Sequence, residues 1–333
     1  MMLDGTVMVT GGAGYIGSHA VLALLDAGYR VVVIDNLVTG FQWAVDPRAA
    51  FVECAVESDT VRDVIAAHDV RAIMHFAGSV VVPESVSDPL KYYRNNTAAS
   101  RSLIESAVAG GVRHFIFSST AATYGTPAKV PVAEGDPTVP INPYGMSKLM
   151  TEAMLRDVSA AHAINCAVLR YFNVAGADPA GRSGQSTAGA THLIKVAVEA
   201  ATAKRTSVGV FGTDFDTPDG TGVRDYIHVS DLAAAHVDAL ALLIAEPTRS
   251  VTLNAGYGRG YSVLEVLDAV DRVTNVTINR TIEGRRPGDP AALVADNSAI
   301  LAALPWRPKH DDLDRIVADA LAWERTLAER GRG

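Results

Sequence analysis

One ten-residue segment constrains this chain more than any other, Thr10-Gly-Gly-Ala-Gly-Tyr-Ile-Gly-Ser-His19. It follows a β-like apolar run at Thr6–Thr10 and leads into a helical pattern at Ser18–Ala27. Gly12, Gly14 and Gly17 fit G-x-G-x-x-G, and Gly11, Gly14 and Gly17 fit the wider G-x-x-G-x-x-G. Between a strand and a helix, such glycines let backbone N–H groups at a helix N-terminus approach a pyrophosphate that side chains would hold off. The next strand, Arg30–Asp35, ends on a carboxylate 18 positions after Gly17. A carboxylate there takes ribose hydroxyls and repels a 2′-phosphate, which favours NAD over NADP.

The rhythm that follows is strand and helix in alternation. Arg30–Asp35 (RVVVID) is a continuous β-branched run, as in a strand buried on both faces. Phe51–Cys54, Ala72–Phe76, Arg113–Ser118 and Asn165–Tyr171 read as further strands. Asp59–His68, Leu90–Ala109 and Tyr144–Ala161 read as the helices between them. This implies an α/β fold with a doubly wound parallel sheet of Rossmann type. After about residue 175 the rhythm degrades into turn-rich stretches at Asp178–Gly189 and Asp214–Gly222. Residues 1–175 are therefore expected to form the dinucleotide-binding domain, and 176–333 a smaller mixed α/β lobe. Asp225–Ile227 and Thr252–Asn254 are the segments expected to return to the large sheet.

Composition narrows the function classes. Lys and Arg total 29 against 37 Asp and Glu, a net charge of −8, which argues against a nucleic-acid coat. Two cysteines, Cys54 and Cys166, and no metal-ligand spacing point to a cytoplasmic chain with no metal. No signal peptide and no membrane span are expected from the sequence.

Tyr144-Gly-Met-Ser-Lys148 places a phenol and an ammonium four residues apart, on one face of a helix. To act as a base near neutrality, a tyrosine must lose about 3 pKa units, or roughly 4 kcal/mol. A neighbouring ammonium and an oxidised nicotinamide ring both favour the phenolate. Thr120 closes the Ser118-Ser119-Thr120 strand end, where ligands of such sheets bind, and its hydroxyl suits the reacting oxygen.

Thr10–His19, Asp35-Asn36-Leu37, His75-Phe76-Ala77-Gly78, Ser118–Tyr124, Tyr144–Lys148, Tyr171-Phe172-Asn173 and Gly220–His228 occur together in this order. In this the chain resembles the UDP-glucose 4-epimerases of the extended short-chain dehydrogenase/reductase family, from about residue 5 to about residue 325. The resemblance implies bound NAD, a UDP-sugar-binding C-terminal lobe, and a homodimer through the helices near 90–109 and 144–161. It makes Tyr144 the base, Lys148 its electrostatic partner and Thr120 the strand-end hydroxyl. Tyr15 and Ile16 would lie along the pyrophosphate, and Asp35, Asn36 and Leu37 at the adenosine ribose. Phe76, Ala77, Gly78, Asn95 and Phe172 would line the cofactor. Asn173, His192, Leu193, Phe211, Arg224, Arg286 and Asp289 would hold the sugar nucleotide, with the diphosphate at His192 and Leu193, uracil on Phe211, and Arg224, Arg286 and Asp289 at the diphosphate and uridine ribose, where the arginine fork is bidentate. The implied reaction interconverts UDP-glucose and UDP-galactose through a transient 4-keto sugar.

Three positions depart from that pattern. Cys54-Ala55-Val56 lacks the Asp that holds adenine, Ser79-Val80-Val81 lacks a lysine near the cofactor ribose, and His192 stands where Asn is common. A 4,6-dehydratase needs acidic residues after the strand-end threonine, and Ala121-Ala122 supplies none. Leu293, at the sugar gate, is intermediate in size, so UDP-N-acetylhexosamines and UDP-pentoses stay open as substrates. A non-catalytic NAD-sensing protein on the same scaffold is the other alternative, against which the Tyr/Lys pair speaks.

Overall fold

A computed structural model describes residues 3–330 apart from 287. Seven strands form one sheet: β1 (Thr6–Thr10), β2 (Arg30–Asp35), β3 (Ala50–Glu53), β4 (Val70–His75), β5 (His114–Thr120), β6 (Asn165–Tyr171) and β10 (Val251–Ala255). Their order is β10-β6-β5-β4-β1-β2-β3, with every pairing parallel. Successive side chains of a strand face opposite sides. Val7 and Val9 accordingly join a core cluster with Val31, Val33, Ala72 and Met74, whereas Met8 joins another with Val32, Ile34 and Ile73. Both faces are covered, which is why these strands read as unbroken apolar runs. The strand order reverses between β1 and β4, so the binding crevice opens above the glycine loop.

The remaining strands are short: β7 (Asn173–Ala175), β8 (Val208–Phe211), β9 (Val223–His228), β11 (Gly260–Ser262), β12 (Arg280–Glu283) and β13 (Ala292–Leu293). β9 is paired by β7, β11 and β13, while β8 pairs with β12. Thr252–Asn254 does return to the large sheet, inside β10. Asp225–Ile227 does not. It lies in β9, and the buried Asp225 carboxylate accepts N–H bonds from Tyr257 and Gly258, each at 2.9 Å, which ties β9 to the turn after β10 instead.

Two helices differ from expectation in ways that shape the site. The first spans Tyr15–Asp26, so Tyr15 and Ile16 belong to its opening turn. The helix expected at 90–109 is interrupted by a wide π turn at Tyr93–Ala98. There the Asn96 side chain bonds Ser79 and Ser147, and such turns recur at functional sites. Helix Pro143–Ala161 starts on Asn142, whose side chain accepts the Gly145 N–H at 2.9 Å, with Pro143 in the first turn.

Candidate active site

The glycine loop crosses the C-terminal end of β1, and each glycine answers a different demand. Gly11 has φ +68°, and a Cβ there would stand 2.6 Å from the Ala77 nitrogen. A Cβ on Gly12 would meet Val33 at 2.7 Å, and one on Gly17 would meet the Gly11 carbonyl at 2.1 Å. Gly14 is different: its Cβ would meet only the Gly11 oxygen, at 3.2 Å. Packing therefore explains Gly11, Gly12 and Gly17. Gly14, at the helix N-terminus, keeps room for a ligand from outside.

Asp35 sits buried at the end of β2, beside this loop. Its carboxylate accepts Ala13 N–H at 3.0 Å and Leu37 N–H at 2.8 Å, one on each oxygen. Each oxygen keeps lone-pair capacity for a ribose hydroxyl. Burial pushes the carboxyl above its ordinary value, and the backbone N–H bonds work the other way. Asn36 is exposed, and Leu37 is held at φ +56°.

Phe76, Ala77 and Gly78 leave the end of β4, with the Phe76 N–H on the Thr10 carbonyl at 3.0 Å. The π turn aims two asparagines at the next residue. Asn95 donates to Ser79 Oγ at 3.1 Å, and Asn96 accepts the Ser79 N–H at 2.7 Å. The Ser79 loop is thus held by hydrogen bonds, while Val80 is exposed.

Thr120, Tyr144 and Lys148 converge at the end of β5. The Thr120 side chain faces the Tyr144 phenol and favours its ionised form, against the larger upward push of burial. Lys148 is buried and donates to the Ser118 carbonyl at 2.9 Å, over the Phe117 ring. Burial lowers its pKa to about 8, so the ammonium persists at neutral pH. Among the described residues two of its three N–H donors have no partner, which leaves them for a ligand.

The residues expected at the sugar nucleotide fall into two groups. Tyr15, Asn173, His192 and Leu193 line one cavity, together with Tyr226 and Lys195. Arg224, Arg286, Asp289 and Phe211 form a second group on the β9 side. Arg224 lies 3.6 Å from Asp289, and the Arg286 guanidinium sits 3.6 Å above the Phe211 ring. A base stacking on Phe211 must use its other face or displace Arg286. Leu293 pairs in register with Arg224 and packs in a small cluster with Phe172, Tyr124 and Ala121.

The sequence reading passed over Asn96, Glu152 and Arg170. Arg170 carried a signal, since a charged residue inside the buried run CAVLRYF needs a partner. That partner is Glu152, one helical turn beyond Lys148. Among the described residues, His228, His310 and Asp319 bring their ligand atoms within 4.8 Å of one another. His228 Nδ1 accepts the Ser230 N–H at 3.0 Å, which leaves the proton on Nε2 to be donated to Asp319 at 3.2 Å. With both ring nitrogens engaged, this is a hydrogen-bonded group and a poor ion site.

A glycine loop, a strand-end carboxylate and a Tyr-x-x-x-Lys helix on a doubly wound sheet define a nicotinamide-dependent enzyme of the short-chain oxidoreductase class. The chain belongs to the NAD dependent epimerase/dehydratase family, whose profile matches residues 7–255. It is 56% identical to a UDP-glucose 4-epimerase of Azospirillum brasilense over 324 residues, 97% of this chain and 93% of that one. In structure it is similar to the UDP-glucose 4-epimerase of Stenotrophomonas maltophila with bound NAD and formylated UDP-arabinopyranose. That match has a TM-score of 0.94 and 38% identity, over 98% of this chain and 100% of the other. It is also similar to the UDP-Glc/GlcNAc 4-epimerase of Campylobacter jejuni, with a TM-score of 0.84 and 44% identity over 97% and 100% of the two chains. Among the described residues no helix is long and apolar enough to cross a membrane.

Proposed function

We propose that this protein is an NAD-dependent 4-epimerase that interconverts UDP-glucose and UDP-galactose through a transient 4-keto sugar. One observation carries the reading: Thr120, Tyr144 and Lys148 converge at the end of β5, and the next two residues, Ala121 and Ala122, bring no acid. The chain therefore has a base for a sugar hydroxyl and lacks the acid that elimination of water requires. The fit to NAD rests on Gly14 at the helix N-terminus, the spare lone pairs of Asp35 and the two donors that Lys148 leaves unused among the described residues. When bound, NAD supplies the hydride acceptor, and then donor, at C4.

The chain's own part is proton handling and anchoring. Tyr144 takes the 4-hydroxyl proton, with Thr120 bridging the sugar oxygen and the phenol. Burial opposes the phenolate, so the Lys148 ammonium has to offset that cost. Arg224 and Arg286 anchor the diphosphate while the keto sugar turns to present its other face. The sugar must turn freely, so strong contacts belong on the nucleotide and weak ones on the hexose. In this reading residues 1–175 bind NAD and 176–333 chiefly bind the UDP-sugar. The protein works as a cytoplasmic homodimer through the helices near 90–109 and 144–161, on which Leu90 and Met150 are 74% and 41% exposed.

The deciding experiment follows the anomeric protons of UDP-galactose by NMR after addition of purified protein, first without and then with added NAD. UDP-glucose without supplementation means 4-epimerisation with retained cofactor. Turnover only after supplementation means that cofactor is lost, as the departures at Ala55 and Val80 allow. Silence in both tubes removes UDP-galactose as substrate. Leu293 and the likeness to the UDP-Glc/GlcNAc enzyme then favour UDP-N-acetylhexosamines, followed by UDP-pentoses.

A further inference from the structure

Ser119, Arg170 and Asn254 lie in register across β5, β6 and β10, at the end of the sheet that carries Thr120. The three side chains belong to one buried polar network. Glu152, on the Tyr144–Lys148 helix, accepts from Ser119 Oγ, and from Arg170 Nε at 3.1 Å and Nη2 at 2.7 Å. Arg170 Nη1 donates to the Tyr124 hydroxyl at 2.9 Å, which donates to Asn254 Oδ1 at 2.7 Å. Nη1 also reaches the Glu134 carbonyl at 3.3 Å, while Asn254 holds the Val132 carbonyl at 2.9 Å and takes the Glu134 carboxylate on its N–H at 2.6 Å. The segment around Val132 is in turn bonded to Val294 and pairs with Ala295, beside Leu293.

We infer that Arg170 is a positioning residue that fixes the distance between the catalytic helix, held through Glu152, and the sugar-facing wall around Leu293, held through Tyr124 and Asn254. The inference rests on the proposed reaction for its kinetic meaning. Stability alone is a weak reason for this pair, because burying two charges costs solvation that apolar side chains of similar size would not. Geometry is the better reason. Lys148 and Glu152 follow Tyr144 at helical spacing, and they hold Ser118 and Ser119, the two residues of β5 that precede Thr120. Glu152 and Arg170 satisfy each other's charge through two hydrogen bonds, so the pair acts through placement.

The two arms separate by experiment. Glu152→Gln loosens the helix arm, and about a 10- to 100-fold fall in kcat is expected with KM for the UDP-sugar nearly unchanged. Ser119→Ala, which leaves the ion pair intact, gives a smaller loss in the same direction and covers the case in which Glu152→Gln does not fold. Tyr124→Phe releases the wall, and KM rises about tenfold with kcat within about threefold. Amide hydrogen exchange supplies a readout that needs no substrate. Glu152→Gln and Ser119→Ala should speed exchange in 143–152, and Tyr124→Phe in 130–134 and 292–296. If wild-type protein turns over no UDP-sugar, the proposed function fails, and the exchange pattern alone decides the positioning role. Variants that lower Tm yet keep wild-type kcat, KM and exchange pattern would overturn it.

Discussion

Lys148 Nζ donates to the Ser118 carbonyl at 2.9 Å, and this contact holds a buried ammonium two residues from the strand-end Thr120. Burial lowers the Lys148 pKa from 10.5 to about 8. Between those values the unfolded chain binds the proton and the folded chain does not, so this group's contribution to stability rises with pH from about 8 to 10.5. Below about 8 its cost is full, with a ceiling of roughly 3 kcal/mol. NAD-free Lys148→Met should therefore be more stable than wild type in urea at pH 7, with the gap closing as pH rises past 8. The same variant should lose about 100-fold or more in kcat, because the phenolate loses its cation. Equal urea midpoints at pH 7 would show that the ammonium is well solvated.

The glycine loop separates folding from binding. Gly17→Ala forces a Cβ to within 2.1 Å of the Gly11 carbonyl, between two backbone segments. NAD-free Gly17→Ala should lose about 2 kcal/mol or more of stability by thermal or urea unfolding. Gly14→Ala meets only one oxygen, at 3.2 Å, so its NAD-free Tm should stay near wild type. NAD binding should fall at least about tenfold in that variant, measured by quenching of tryptophan fluorescence, because the methyl enters the pyrophosphate's approach. Unchanged affinity in Gly14→Ala would place the pyrophosphate elsewhere.

Much of this architecture could be read from the chain alone. Thr6–Thr10, Arg30–Asp35 and Asn165–Tyr171 match their expected bounds residue for residue, because strands buried on both faces leave unbroken apolar runs. Short strands such as Ala292–Leu293 and Gly260–Ser262 were invisible, being set by pairing to distant β9. The π turn at Tyr93–Ala98 also left no local signal, since Asn96 takes its partners from Ser79 and Ser147. The catalytic candidates were legible because Tyr144 and Lys148 are local to one helix and Thr120 ends one strand. The Glu152–Arg170 network was overlooked because its parts lie on three strands, one helix and the turn after β5.

Asp35 offers a direct test of cofactor choice. In Asp35→Asn one amide oxygen can replace a carboxylate oxygen, but the amide nitrogen then faces a backbone N–H, of Ala13 or of Leu37. Two donors facing each other cost about 1–3 kcal/mol. That cost falls on the NAD-free fold; NAD affinity should fall about 10- to 100-fold because a ribose hydroxyl then meets an amide in place of a carboxylate, while the loss of negative charge should narrow the preference over NADP. Titration of both cofactors against the variant checks this. An unaltered NAD-to-NADP ratio would mean that another group reads the ribose.

In the proposed reading, Leu293 lies beside the reacting sugar. It is 9% exposed and touches Phe172, Tyr124 and Ala121, with its backbone in register with Arg224. A side chain there is thus placed by the strand that also carries an expected diphosphate anchor. Leu293→Tyr adds an aromatic ring on the sugar side and should cut kcat/KM for UDP-N-acetylgalactosamine at least about tenfold, with UDP-galactose much less affected. Leu293→Ala opens the wall and should move the ratio the other way, at a cost near the low end of about 2–5 kcal/mol, because the cluster is small and borders the cleft. The measured quantity is the ratio of kcat/KM values for the two sugars in three proteins, which cancels any shared loss of folded enzyme. A ratio that stays constant across Tyr, Leu and Ala would move the sugar gate away from β13, and with it the expectation that Phe172 and Leu293 line one pocket.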